Sequence, residues 1–169
     1  MEGTTVRIGS VTLASHILLA IFENLRSQNN KRQLFIKAGY DDLQTIFYEL
    51  LITRGKYLDG VLYSKLEYLK DLFVFSNSSL TLFSYTLQAA LEHLQLGGTI
   101  CWPNSEEPDL MRLNPSATKY YEDVLLRNTD QRLAYQDVIS AQEIAKIMSQ
   151  HLPWRQLIVD RHYLMNTTD

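Results

Sequence analysis

The chain has 169 residues, 46% hydrophobic and 21% charged, with a formal net charge of −3 at pH 7. This is globular composition, large enough to bury a core, and it excludes wholesale disorder. The single cysteine, Cys101, excludes an internal disulfide or a cysteine-only zinc cluster within these residues and points to a reducing compartment.

The first predicted element is a helix over residues 13–25. Leu13, Ile17, Ile21 and Leu25 recur at four-residue spacing, with Ala14, Leu18 and Phe22 on the adjacent row. The apolar run is too short to span a bilayer, His16 and Ser15 interrupt it, and no small-residue cleavage site follows. The expectation is a cytoplasmic protein with no membrane segment. Residues 27–32 are polar and read as a loop, and residues 34–36 as a brief strand or an extended connection.

Asp41 and Asp42 suggest a helix cap before Leu43, Ile46, Phe47, Leu50 and Leu51, with Gly55 as a left-handed stop. A second helix follows over residues 61–72, then the β-prone Phe73-Val74-Phe75 and a turn at residues 76–79. Leu80, Phe83, Leu87, Ala90, Leu91 and Leu94 predict a third helix over 80–96, ended by Gly97-Gly98. Residues 99–102 suit a strand, 103–108 a loop and 110–113 a returning strand. Asn114-Pro115 predicts a helix start, with asparagine as cap and proline at the first helical position. Ser140 to Glu143 fits a capping box for a last helix that stops before Pro153, and residues 154–165 suit either strand or short helix.

Three helices, a Leu-Gly-Gly-Thr-Ile junction and a short hairpin over residues 41–113 resemble the winged-helix superfamily. The resemblance implies a mainly α protein with a small β-hairpin. On this reading residues 1–169 form a single domain, with a winged-helix-like core at 41–113 and helical additions at 11–25 and 115–165.

Charge bears on what such a domain does. Between Lys70 and Arg112 there is no lysine or arginine, and Asp71, Glu92, Glu106, Glu107 and Asp109 are the only formal charges. DNA-binding winged helices hold phosphates with cations on the third helix and wing. Here Gln88 offers an adenine-reading amide, but Glu106 and Glu107 would face the phosphates as like charges. The expected use is therefore protein docking, as an adaptor or assembly subunit, through Tyr85, Gln88, Trp102, Glu106 and Glu107, although a lone tryptophan beside a strand, as Trp102 is, more often closes the core. The alternative is a DNA-binding transcriptional regulator that adds a flexible basic loop, Arg26, Lys31, Arg32 and Lys37, to the third helix. The apolar N-terminal helix also has enough surface to form a homodimer.

Nothing in the chain asks for catalysis, a metal or a cofactor. No phosphate-binding glycine loop, dinucleotide fingerprint or nucleophile elbow is present, and the histidines His16, His93, His151 and His162 lack metal-ligand spacing. His16 reads as a packing residue, and an enzyme would need a pocket that gathers His93, Cys101 or the paired acids.

Overall fold

The computed structural model describes residues 8–53, 69–76, 83–102, 109–127, 133–150 and 154–159. Its architecture follows from the apolar surplus of the N-terminal stretch. Helix α1 (Ile8–Gln28) buries Ala14, Ile17, Leu18, Leu19, Ala20, Ile21, Phe22 and Leu25, together with Ser15 and Glu23. A helix apolar on nearly all sides belongs at the centre of a core. α1 is accordingly packed chiefly against α3 (Tyr85–Leu96) and α5 (Tyr135–Gln150). The apolar surface that suggested a homodimer is covered within the chain.

After α1, Asn30 takes a left-handed backbone (φ 54), a conformation asparagine tolerates, and turns the chain into β1 (Phe35–Lys37). α2 (Tyr40–Tyr48) follows and runs on as a π-helical turn, Glu49–Thr53. Its cap is Gly39 instead of an aspartate. The Asp42 carboxylate accepts the Gly39 N–H at 3.0 Å, so both aspartates sit in the first turn, where the helix dipole favours them. Residues 69–72 close a helix, whereas Gly55 and most of residues 61–72 lie outside the described residues, as does most of the turn at 76–79.

α3 begins five residues later than its apolar pattern predicts. Ser84 has an extended backbone and its hydroxyl accepts the Leu87 N–H at 3.1 Å, while Phe83 forms a β-bridge to Ser76. The buried Gln44 amide then takes up both Ser84 backbone groups, donating to its carbonyl at 2.9 Å and accepting its N–H at 2.8 Å. Capping chemistry and a long-range amide overrule the leucine spacing. The predicted stop holds: Gly98 takes φ 78 with open space where a Cβ would stand.

The β content exceeds one hairpin. β2 (Ile100–Cys101) and β3 (Leu110–Leu113) pair antiparallel, β1 pairs with the other edge of β3, and β4 (Ile158–Val159) pairs with β1. The order is β2-β3-β1-β4, a small antiparallel sheet beside a mainly helical body. Residues 154–159 combine both sequence alternatives, a 3-10 turn at Trp154–Leu157 and then β4.

Two further helix starts differ from the sequence reading. α4 (Ser116–Tyr120), continued by a π-helical turn Tyr121–Leu125, is not capped by the Asn114 side chain. That amide accepts from Cys101 Sγ and Arg112 Nε and donates to the Gly98 carbonyl, tying the glycine turn to the hairpin. α5 starts at Tyr135, so Ser140 is not its cap but a fully buried residue in its second turn.

Candidate functional site

The outer side of α3 and the adjoining hairpin carry most of the residues that the sequence singles out. Tyr85 stands at the first position of α3, 69% exposed, with its ring edge-to-face against Phe83 at 4.9 Å. Gln88 is half-buried, and its amide donates to Glu92 Oε2 one turn on at 3.0 Å. Its free reading capacity is thus reduced. Glu92, His93, Gln95 and Leu96 complete the exposed surface towards the helix end.

Trp102 has a different role from an open docking residue. It is half-buried and packs against the core; its indole N–H donates to the Ala38 carbonyl at 2.9 Å. Its ring lies 4.9 Å from that of Tyr40 at an interplanar angle of 30°, and the Tyr40 hydroxyl donates to Gln95 Oε1. The three side chains brace the hairpin, α2 and α3 together. Burial, and then the Glu92 charge, raises the Tyr40 pKa above its usual 10.0. Asp41, Asp42, Glu92 and Asp109 are exposed carboxylates on these elements, and Asp109 Oδ1 comes within 3.3 Å of where a Cβ at Gly39 would stand. Glu106 and Glu107 lie outside the described residues.

Part of the basic stretch is engaged within the fold. Arg26 belongs to the last turn of α1 and binds Glu23 Oε1 through Nε at 3.2 Å and Nη2 at 3.1 Å, while Nη1 donates to the Lys31 carbonyl at 3.1 Å. Glu23 is only 3% exposed and also accepts the Thr118 hydroxyl at 2.8 Å. Asn29 donates to Ser149 Oγ on α5 at 2.9 Å. A buried carboxylate has to be paired, and Arg26 meets that need instead of facing a phosphate. Lys31 is half-buried, leaving Arg32 and Lys37 as the exposed cations of the four.

A second feature joins residues that are far apart in the chain. α1, the end of α3 and the start of α4 enclose a cleft of about 360 Å³. His16 and His93 both line it, with Thr99, Ser116 and Tyr120, above a floor that includes Leu19. The His16 ring lies 6.3 Å from that of Tyr120. Burial, and secondarily the nearby His93, holds the His16 pKa below the ordinary 6.5. The Ser15 hydroxyl is occupied by the Thr12 carbonyl at 2.8 Å. Cys101 lies outside this cleft, half-buried on β2.

Among the described residues no three His, Cys, Asp or Glu side chains converge to hold a metal ion, and no helix is long and apolar enough to cross a membrane. The chain matches no protein-family model, no curated protein and no solved structure. Two side-chain arrangements escaped sequence reasoning. Gln95 stands out only as an exposed amide on the third helix and its pairing with Tyr40 carries no motif, and the meeting of His16 with His93 depends on how α1 crosses α3. The only trace of the second is a polar histidine within an otherwise apolar row.

Proposed function

We propose that this chain is a non-enzymatic, winged-helix-like protein-interaction module, an adaptor or assembly subunit. In this reading the outer face of α3 and the hairpin docks a partner that carries basic side chains. One observation carries it: the exposed part of α3 combines Tyr85 and Leu96 with Glu92 and contains no lysine or arginine. Exposed aromatic and aliphatic anchors beside like-signed charges suit a protein partner of opposite charge. The same surface is poorly suited to a phosphate backbone. The passage from a helix through Gly97-Gly98 into the antiparallel β2-β3 pair supports the winged-helix part of the reading.

A photo-crosslinking residue in place of Tyr85 tests this in the native host. The expected adducts are protein segments rich in lysine and arginine, lost when Glu92→Lys is added. Adducts to nucleic acid, or adducts indifferent to the charge reversal, would overturn the docking reading.

The second reading, a DNA-binding regulator that uses α3 with the 26–37 loop, draws on the exposure of Arg32 and Lys37. It requires tight, salt-sensitive binding to a labelled duplex that disappears when both cations become glutamate. We expect no such binding at low salt.

A further inference from the structure

We infer that the cleft between α1, the end of α3 and the start of α4 is a binding site for a small monocarboxylate with an apolar body. Its volume of about 360 Å³ falls within the usual range of ligand pockets, about 300–1,000 Å³. The floor is apolar and well packed: Leu19, Leu94 and Ala117 are 1%, 4% and 2% exposed. Hydrogen-bonding groups line the rest, namely the two imidazoles and the hydroxyls of Thr99, Ser116 and Tyr120. An apolar floor under a few convergent polar groups is the usual construction of a small-molecule site.

Charge narrows the ligand class. No aspartate, glutamate, lysine or arginine is among the lining residues. A cation finds no carboxylate there, and a doubly charged phosphate finds no guanidinium or ammonium. A single negative charge is matched by one imidazolium. The titratable groups that meet at the cleft are His16 from α1, His93 from α3 and Tyr120 from α4. Burial, and secondarily the nearby His93, disfavours protonation of His16. A carboxylate bound beside His16 reverses the balance, because it attracts the protonated ring. Binding therefore takes up a proton. Affinity rises as pH falls towards the imidazole range and drops about tenfold per pH unit above it.

The test is an NMR titration of the isotope-labelled full chain with benzoate, and with benzamide as the uncharged isostere, at about pH 6 and about pH 8. Saturable benzoate shifts at Leu19 and Ala117 are expected, at least about tenfold tighter at the lower pH, with an upward move of the His16 pKa. Benzamide is expected to bind at least about tenfold more weakly. His16→Gln should abolish the pH dependence, and His93→Gln, at an exposed position that leaves the core intact, should weaken benzoate binding. Absence of saturable benzoate shifts would overturn the proposal. So would equal affinity for benzamide, pH-independent binding, or a response of both rings to zinc ion alone. The docking reading of α3 stands or falls separately, on the crosslinking result.

Discussion

α1 and α3 pack against each other, yet they treat their glutamates in opposite ways. Glu23 on α1 is almost wholly buried and is held by Arg26 and Thr118, whereas Glu92 on α3 is exposed and bonded to Gln88 on its own helix. The first carboxylate secures the junction of α1, the following loop and α4. The second leaves the architecture alone and colours a surface. Residue type is the same in both places; burial decides whether a charge serves the fold or is offered to a partner.

Breaking the buried side should have the largest effect. Arg26→Ala leaves the Glu23 carboxylate inside the protein with Thr118 as its remaining hydrogen-bond donor of the pair, and should cost about 3 kcal/mol in urea unfolding. A loss below about 1 kcal/mol would mean that water relieves Glu23 and that the pair is no more than a surface ion pair.

Next in size is Gln44→Ala, which orphans the Ser84 N–H at the start of α3 and removes one of the two donors to its carbonyl, the other being the Gln88 N–H at 3.0 Å. About 2 kcal/mol should be lost, and amide exchange at Leu87 and Gln88 should quicken relative to the middle of the helix. Uniform exchange changes along α3 would show that the amide does not define where the helix begins.

The smallest effect belongs to the exposed face. Tyr85→Ala removes a side chain that is 69% exposed and should alter stability by no more than about 0.5 kcal/mol. A thermal-melt shift of core-mutation size would place Tyr85 on the structural side of the comparison, by way of its contact with Phe83.

Much of the element order was legible because it rests on local chemistry. The leucine spacing of α3 and the glycine pair that stops it both act within a few residues. The failures share a cause. Ser84, Asn114 and Ser140 each looked like one kind of residue locally and were assigned elsewhere by distant partners: Gln44 fixed the first, the glycine turn claimed the second, and the core enclosed the third. Among the proposed site residues, Tyr85 could be anticipated as an exposed aromatic. Trp102 could be read as a core residue beside a short strand, but its carbonyl partner on the β1–α2 connection and the buried carboxylate that engages Arg26 could not be anticipated.

By itself the sequence determined that this protein is mainly helical, that a short hairpin follows a glycine-stopped helix, and that residues 71–111 carry no lysine or arginine. These properties follow from periodicity, backbone freedom and the count of charges. Tertiary structure decided which charges reach solvent, which strands join the hairpin into a four-stranded sheet, and that His16 meets His93 across a cleft. Those outcomes depend on burial and on contacts between distant segments, and neither quantity exists until α1 is enclosed by the rest of the chain.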